Sequence, residues 1–392
     1  MTKNSSINSP TASQCRGELN STSAANSTSE RRHQVIKLAI DAHAKFYMVA
    51  RQIDNAPSQP PQKFGREELL KFIGKQLGLA DKVCTCYEAG CFGYGLHRDI
   101  QALGAANLVI APQNWDERNK KVKTDRVDAT AICGRLDRYV AGNPKALAVV
   151  HVPTEDEELR RSRVRQRQQF MGDRNRWANQ GKSLLLLYGL HVSWSWWQEG
   201  KYAGIERLVR KQCGNRAERI LQMLVDYREM VLKVSEKLES LTKELYKPRQ
   251  ERPAEKRIKG MGELSAARIE AEVGNWNRFG NRRQVASYTG LCPGVTGSAG
   301  HFTNLSISKH GNRRLRSVLV ELAWLMVRYQ PDYPPVLRWQ QVMASKNRPA
   351  KKKAIVAVAR RLAVDLWRLE TGRATAQELG LQVMKMEVKK AA

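Results

Sequence analysis

The sequence predicts three structural regions: an α/β domain with a mixed sheet, a helical coiled-coil region, and a mostly α-helical domain with a helix-hairpin-helix-like element. Three patterns predict this order. Short β and α segments alternate over residues 34–150, an apolar heptad repeat runs over 220–245, and a Gly-Met-Gly turn at 260–262 precedes a helix of small residues. A chain of 392 residues is long enough for several hydrophobic cores.

The α/β domain is predicted from its order of elements. Ile36, Leu38 and Ile40 alternate with polar residues and begin a β-hairpin. REELLKFIGKQLG is helical, KVCTCYEAG is a strand ending at Glu88, a helix follows through HRDIQALG, NLVIAP is a further strand, and 114–140 is helical. A hairpin followed by alternating helices and strands indicates a mixed sheet.

The coiled-coil region is predicted from apolar residues that recur at alternating steps of four and three. They are Ile220, Leu224, Tyr227, Val231, Val234, Leu238, Leu241 and Leu245. This spacing is typical of a coiled coil, whose second helix belongs either to another protomer or to the same chain. The alternative is one amphipathic helix packed on its own domain.

The segments at and between these regions complete the expected domain order. Residues 1–33 are rich in Ser, Thr and Asn and are expected to be disordered, because they cannot bury enough apolar surface to offset their ordering entropy. The predicted boundaries are 34–150 for the α/β domain, 151–252 for the Arg-rich helical and coiled-coil region, 253–372 for the last domain, and 373–392 for a polar tail.

The charge balance indicates a polyanionic partner. The chain has 67 Lys and Arg against 38 Asp and Glu, a formal net charge of +29. Nucleic acid is the first candidate and an anionic membrane surface the second. The sequence has no run of about 18 apolar residues and no apolar signal core, so a soluble intracellular protein is expected.

Four acidic residues form the first candidate site. Asp41 and Glu88 end predicted strands, while Asp125 and Asp128 are one helical turn apart and share a face. Four carboxylates that converge at strand ends would suit Mg²⁺ or Mn²⁺. The alternative, favoured on spacing alone, pairs Asp125 and Asp128 with neighbouring basic side chains at the surface.

Several basic and glycine positions are candidates for nucleic-acid contact. The turn Lys259-Gly260-Met261-Gly262 could bring backbone N–H groups close to a phosphate, although Gly-x-Gly also caps ordinary helices. The other candidate cations are Lys309, Arg313, Arg314 and Arg316 near the C-terminal helices, and Arg163 and Arg167 in the Arg-rich stretch.

Two further features allow both a structural and a functional interpretation. Ser298 lies in a Gly-rich loop, where a serine by itself is more often a turn residue than a nucleophile. Trp194, Trp196 and Trp197 could stack on bases, but an anchor for a helix end in the core is the favoured interpretation.

Taken in order, the stretches AIDAH, CYEAGCFGYGLHRDIQALG, NLVIAP and KTDRVDA resemble the RNase H-like (RuvC-like) domain of DEDD-type insertion-sequence transposases. That family consists of recombinases guided by a bridge RNA. Residues 288–327 resemble its C-terminal transposase domain, with Gly-Leu-x-Pro, a serine loop and an Ile-Ser-Lys-x-Gly-Asn-x-x-Leu-Arg run. The resemblance covers roughly residues 35–140 and 255–330.

The resemblance implies a DNA transposase with a divalent-metal site, for Mg²⁺ or Mn²⁺, made by Asp41, Glu88, Asp125 and Asp128. It implies that Ser298 is the nucleophile that joins covalently to DNA. Because this chain has Gly-Ser-Ala-Gly where the family more often has a serine followed by two glycines, Ser306 and Ser308 are weaker candidates.

The resemblance also implies partners and a location. A guide RNA would choose donor and target DNA, and the acids and the serine would come from different protomers of a homo-oligomer. A dimer or tetramer through the coiled coil and a bacterial cytoplasmic location at the nucleoid are expected. Two rival hypotheses remain: a junction-type metal nuclease that uses water, with a structural Ser298, and a nucleic-acid scaffold with an inactive acid set.

Overall fold

A computed structural model describes residues 32–112, 125–246, 253–298, 301–345 and 348–384. The chain divides into two compact units, 1–152 and 153–392, which are described separately. Apart from Arg32 and His33, the segment expected to be disordered lies outside the described residues. So does 113–124, which includes the first part of the helix predicted over 114–140. Among the described residues, no helix combines the length and apolarity needed to cross a bilayer.

The N-terminal unit is built on a five-stranded sheet. Its elements are β1 (His33–Ala42), β2 (Tyr47–Ile53), β3 (Gln62–Phe64), α1 (Arg66–Leu79), β4 (Ala80–Glu88), α2 (Gly95–Ala102), β5 (Ala106–Ile110) and α3 (Asp125–Val140). The strand order is β3-β2-β1-β4-β5. β1 runs parallel to β4, and β4 to β5, whereas β2 and β3 are antiparallel neighbours. The mixed α/β architecture expected from the sequence is present.

The middle strand β1 is covered on both faces. Ile36, Leu38 and Ile40 belong to the core shared with α1 and α2, and Ala39 belongs to the core shared with α3. Lys37, which the alternation places among polar positions, is also buried. Its Nζ donates to Asp137 Oδ1 (2.5 Å) and to the backbone oxygen of Asp54 (2.7 Å). Burial of this ammonium is tolerated because it has a carboxylate and a carbonyl as partners.

The C-terminal unit is mostly helical. Its helices are α4 (Glu155–Leu187), α5 (Glu199–Cys213), α6 (Ala217–Tyr246), α7 (Glu263–Val273), α8 (Arg282–Thr289), α9 (Arg313–Tyr329), α10 (Pro334–Ala344) and α11 (Arg348–Glu370). The hairpin β6 (Pro293–Ser298) and β7 (His301–Ile307) connects α8 to α9. Thr154 begins α4 with a capping box, in which its side chain accepts from Glu157 N and the Glu157 side chain accepts from Thr154 N.

The heptad helix α6 has its partner in the same chain. Residue numbers rise along α4 and fall along α6 in the contacts between the two helices, which are Arg163–Glu244, Arg167–Thr242 and Trp177–Tyr227. The two helices are therefore antiparallel. The heptad residues buried below one-tenth exposure are Ile220, Leu224, Val231, Leu238, Leu241 and Leu245. Of the two partners that the sequence left open, the structure shows the one in the same chain, because α4 packs against this stripe. Association of protomers through this region stays a prediction.

The tryptophan cluster anchors the end of α4, as the sequence interpretation favoured. Trp196 is fully buried, and its Nε1 donates to the backbone oxygen of Ala178 (2.8 Å). The ring lies directly against Gly181, where any side chain would collide with it. Trp194 remains 41% exposed and packs edge-on against Trp197.

The core of the C-terminal unit extends beyond the boundary predicted at 372. Ala374, Ala376, Leu379 and Leu381 are buried in the same apolar cluster as α7 to α11, and Val383 forms a β-bridge with Ile258. The polar tail predicted over 373–392 is therefore wrong for 373–384. The apolar side chains of this segment pack into the core of the C-terminal unit, and its backbone pairs with Ile258.

Candidate nucleic-acid and phosphoryl-transfer sites

Two of the four predicted acids lie at the ends of neighbouring parallel strands. Ile40 of β1 pairs with Tyr87 of β4, and Asp41 and Glu88 are the next residues on each strand. Neighbouring strands are about 4.8 Å apart, and residues in parallel register point to the same face. The local geometry therefore places both carboxylates side by side at the carboxyl ends of these two strands.

The face on which these carboxylates lie is the one that α3 covers. Ala39 and Cys86, two residues before each acid, belong to the core cluster that contains Ala129 and Leu136 of α3. Side chains two apart on a strand share a face. Asp41 and Glu88 consequently point toward the side of the sheet on which α3 lies.

The direction of α3 brings its acidic end to the same level. Lys37, four residues before Asp41, bonds to Asp137, and the core residues that α3 covers lie further along the strands toward Asp41 and Glu88. α3 thus runs antiparallel to β1. Nine helical residues rise about 13.5 Å and four strand residues advance about 13 Å, so Asp128 lies about level with Asp41.

The donor set fits a hard divalent cation, because it consists of carboxylates with oxygen donors only. Asp125 is the first residue of α3, but its side chain lies outside the described set. Among the described side chains, no three of His, Cys, Asp and Glu form a group that could hold one ion. The four-acid site stays a prediction, to which the fold contributes a shared sheet face and edge.

His43 is a neighbour that the sequence interpretation missed. Its Nε2 lies 3.1 Å from Asp41 Oδ2, and its ring stacks on Phe46 with centroids 4.6 Å apart. The signal was available, since His43 follows Asp41 by two residues at the end of one strand. This contact orients the Asp41 carboxylate.

The candidate nucleophile Ser298 lies at the tip of the β6–β7 hairpin. It is the last residue of β6 and pairs with His301 across the turn; its side chain lies outside the described set. Ser306 is exposed on β7, about 17 Å from Ser298 along the hairpin at 3.4 Å per residue. Ser308 is half-buried, and its backbone N–H donates to the Cys292 oxygen (2.8 Å) where β7 ends.

The loop after the hairpin is held tightly against the end of α8. Gly311 has φ +144°, and a Cβ there would lie 2.5 Å from the Tyr288 oxygen. Arg316 Nη1 donates to the backbone oxygens of Thr289 (3.0 Å) and Lys309 (3.3 Å). Arg316 was predicted to contact nucleic acid, but the structure places its guanidinium in this loop closure. Lys309 itself is exposed, with φ +57°.

A buried carboxylate fixes the start of α9. Asn312 caps the helix, with Oδ1 accepting from Arg314 N and Leu315 N (both 3.0 Å). Its Nδ2 donates to Glu272 Oε2 (2.8 Å), and Arg165 of α4 binds Glu272 through two bonds of 2.9 and 2.8 Å. Burial alone would raise the pKa of Glu272, but the bonds from Arg165 and Asn312 outweigh it and the pKa is lowered.

This network shapes a cleft between α4 and α9, which we call the basic cleft. Its volume is about 950 Å³, and it is lined by Ser162, Arg163, Arg165, Gln166, Gln168, Gln169, Arg313, Arg314 and Ser317. Arg313 and Arg314 occupy the first turn of α9, where the helix dipole disfavours cations. Four arginines and three glutamines around one cleft suit the phosphates and polar edges of a nucleic acid.

The structure sorts the other predicted contact residues. Arg163, Arg313 and Arg314 share the basic cleft, whereas Arg167 is buried between α4 and α6 with its Nε donating to Thr242 Oγ1 (2.7 Å). Arg167 therefore joins the helix pair and does not face the cleft. Arg165 was missed, although its place one turn from Ser162 and Gln169 on an Arg-rich helix gave a signal.

The turn Lys259–Gly262 is used mainly inside the fold. Lys259 N donates to the Gln382 oxygen (2.9 Å), and its carbonyl accepts from Gln330 Nε2 (2.9 Å). Gly260 has φ +86°, and a Cβ there would lie 2.9 Å from Tyr329 Cβ. Gly262, exposed, caps α7. The first two residues of this predicted phosphate grip thus hold the C-terminal segment against α9, and only Gly262 stands at an open helix end.

Comparison with known sequences decides the family. A sequence model of the transposase IS116/IS110/IS902 family matches residues 256–335, which span α7, α8, the hairpin and α9. Over 302 residues the chain is 32% identical to "Putative transposase y4rJ" of Sinorhizobium fredii, an alignment covering 72% of this chain and 75% of that protein. The chain belongs to the IS116/IS110/IS902 family of transposases.

Other relatives of this transposase carry the same description. "Putative transposase y4qE" of Sinorhizobium fredii is 31% identical over 64% of this chain and 60% of its own length. "Transposase for insertion sequence element IS1533" of Leptospira borgpetersenii is 23% identical over 74% of this chain and 84% of its own length. The family match includes Ser298, Asn312 and the two cleft arginines of α9.

Proposed function

We propose that this transposase cuts and rejoins DNA of an insertion sequence through a covalent bond between Ser298 and a DNA phosphate. The observation that carries the proposal is the position of Ser298 at the tip of a two-stranded hairpin inside the family match. A residue at a hairpin tip can enter a DNA groove or strand junction that the body of the unit cannot reach.

The proposed chemistry is two phosphodiester exchanges. Ser298 Oγ attacks a DNA phosphorus, an Oγ–P bond forms, and the bond from phosphorus to the 3′ oxygen breaks. The serine proton leaves as the 3′ oxygen gains one, which gives a phosphoserine and a free 3′ hydroxyl. A 3′ hydroxyl of the exchanged strand then attacks the phosphoserine and restores Ser298. Each step replaces one phosphate ester by another, so joining needs no external energy source.

The acidic residues are proposed to bind Mg²⁺ or Mn²⁺ through Asp41, Glu88, Asp125 and Asp128. A bound divalent ion would neutralise charge on the phosphate oxygens. Asp41 and Glu88 follow paired residues of neighbouring parallel strands, and the contact with His43 Nε2 orients Asp41. Support comes from the shared sheet face and from the oxygen-only donor set.

The basic cleft is proposed to hold the backbone of the bound nucleic acid. Arg313 and Arg314 extend from the capped start of α9, and Arg165 is fixed by Glu272. A fixed guanidinium can bind two oxygens of one phosphate. We further propose that a guide RNA selects donor and target, and that the protein acts as a homo-oligomer.

The serine proposal is tested with Ser298→Ala and Ser306→Ala proteins on a nicked DNA substrate that traps the first step. We expect a denaturation-resistant protein–DNA adduct for the unchanged chain and for Ser306→Ala, and none for Ser298→Ala. Electrophoresis in denaturing conditions measures the adduct. An adduct that persists in Ser298→Ala and vanishes in Ser306→Ala would assign the nucleophile to the other serine of the hairpin.

The metal proposal has its own readout. Titration of Mn²⁺ into full-length protein, followed by calorimetry, should show binding that Asp41→Asn and Glu88→Gln weaken by tenfold or more, since each removes a charged oxygen ligand. Lys145→Ala, at an exposed site after α3, serves as a control for nonspecific change. Unchanged Mn²⁺ binding in both acid variants would contradict the proposed ligand set.

A further inference from the structure

The C-terminal unit contains a second cleft, which we call the apolar cleft, between α8, the base of the β6–β7 hairpin and α11. Its volume is about 650 Å³. Leu291, Ile307 and Val356 contribute to an apolar floor. Five cations surround that floor: Arg282, Arg283, Lys353, Arg360 and Arg361. An apolar floor with a cationic rim differs from the basic cleft, whose lining residues are all Arg, Gln or Ser.

The charge on the rim calls for an anionic occupant. Arg361 is paired with the buried Asp365 through a 3.0 Å bond, but no carboxylate is found among the described residues that line the cleft. Arg282 and Arg283 also stand at the first turn of α8, where the helix dipole disfavours cations. Like charges around one cleft repel one another, and an anion bound among them reduces that repulsion.

The floor adds a second requirement, an apolar face. Leu305 is 50% exposed at the cleft, and a phosphate alone would leave it in contact with water. Duplex DNA presents phosphates outward but keeps its base faces stacked inside. An unpaired strand offers both groups, because each base has a flat face that packs on apolar or guanidinium surfaces while the flanking phosphates contact cations.

Charge disfavours two other occupants, the C-terminal residues of this chain and a second copy of the chain. The C-terminal residues 385–392 read KMEVKKAA and are net basic, so the rim would repel them. A second copy of this chain brings a formal net charge of +29. Both are weaker matches for a cationic rim than a strand with one negative charge per nucleotide.

We infer that the apolar cleft binds an unpaired segment of a DNA strand, with a base on its floor and the flanking phosphates on its rim. The inference rests on the proposed function for its choice of DNA over RNA. The hairpin that lines the cleft with Leu305 and Ser306 carries Ser298 at its other end, so a strand opened beside the attacked phosphate reaches the cleft along the hairpin.

The test is fluorescence anisotropy of full-length protein with three labelled probes of equal length: oligothymidine, a DNA duplex and oligouridine. Leu305→Ser should weaken oligothymidine binding about fivefold and leave duplex binding within about twofold, since it removes contact with a base and no charge. Arg360→Ala should weaken oligothymidine binding. It should also reduce the slope of log affinity against log salt concentration by about 0.7, the value for one lost phosphate contact on a single strand.

Matched controls come from α10. Leu337→Ser and Arg338→Ala change similarly exposed residues that do not line the cleft, and neither should alter binding by more than about twofold. Equal weakening of duplex and oligothymidine by Leu305→Ser, or weakening of neither, would overturn the inference. Loss confined to oligouridine would assign the cleft to RNA, and a changed sedimentation coefficient of Leu305→Ser would assign it to a second copy of the chain.

These outcomes are separable from those of the serine proposal. The probes are bound without divalent ions and are not cut, so the measurement can be made on Ser298→Ala protein. If Ser298 is not the nucleophile but Leu305→Ser loses oligothymidine selectively, the cleft assignment stands. If the adduct forms on Ser298 and Leu305→Ser changes nothing, only the cleft assignment fails.

Discussion

Gly181 on α4 is a position where one methyl group should decide the stability of the helix pair. A Cβ there would lie 2.1 Å from Cζ2 of the buried Trp196 ring. Gly181→Ala should lower the free energy of unfolding by about 1–3 kcal/mol, because the ring must shift from its site. Chemical denaturation followed by tryptophan fluorescence measures the change.

Gly172 on the same helix supplies the matched control. A Cβ at Gly172 would meet nothing within 4 Å. Gly172→Ala should stabilise the unit by about 0.5–1 kcal/mol, since alanine loses less backbone entropy in a helix. Equal effects of the two substitutions would show that Trp196 is not packed against Gly181 in solution.

His97 makes the N-terminal unit sensitive to acid. Burial lowers the pKa of His97 to about 4, and Asn107 Nδ2 donates to its Nδ1 (2.7 Å). A proton on Nδ1 would place two N–H donors against each other. The Asn107 Oδ1 atom already accepts a hydrogen bond from Thr85 Oγ1 (2.6 Å). The folded unit thus keeps His97 neutral in a range where the unfolded chain binds a proton.

The sign of the resulting pH effect follows from that difference. Stability is full above the unfolded pKa of about 6.5 and falls as the pH drops toward 4, by roughly 3 kcal/mol at most. Denaturation at pH 7 and pH 4.5 should show this loss in the unchanged protein and a smaller loss in His97→Gln. The same pH dependence in both proteins would contradict the buried neutral histidine.

At the scale of elements, the basic cleft lies between α4 and the start of α9. Glu272 of α7 holds these two helices together through its bonds with Arg165 and Asn312. Replacing Arg313 and Arg314 together by alanine should weaken DNA binding and reduce the slope of log affinity against log salt by about 1.8, the value for two lost phosphate contacts. The double replacement of Arg219 and Arg338, both exposed and outside the cleft, should leave the slope unchanged. Equal slopes for both double variants would remove the cleft from the binding surface.

The elements themselves were largely predictable, because local periodicity encodes them. The alternation at Ile36, Leu38 and Ile40 gave β1, and the heptad spacing from Ile220 to Leu245 gave α6. The partner of α6 was not predictable, since an apolar stripe specifies burial but not the identity of the covering helix. The folded segment after 372 was missed because its Ala and Leu residues are too sparse to form a periodic pattern. Its pairing with Ile258 is a tertiary contact that the local sequence does not encode.

The positions of the candidate site residues were predictable where they follow from chain order and not where they depend on tertiary contacts. Asp41 and Glu88 end adjacent strands, as their positions in sequence indicate. Arg167 and Arg316 have the same composition signal as Arg163 and Arg313, yet they bond to Thr242 and to the α8–α9 loop. Only the tertiary fold distinguishes an arginine that closes a loop from one that faces a cleft.

At the scale of the whole molecule, the net charge of +29 and the family of transposases agree on a DNA partner. The most direct test of the serine proposal is mass spectrometry of the peptide that carries nucleotide after trapping and protease and nuclease digestion. We predict a deoxynucleotide phosphate attached to Ser298. Attachment at Ser306 or Ser308, or strand cutting with no attached nucleotide, would contradict Ser298 as the nucleophile.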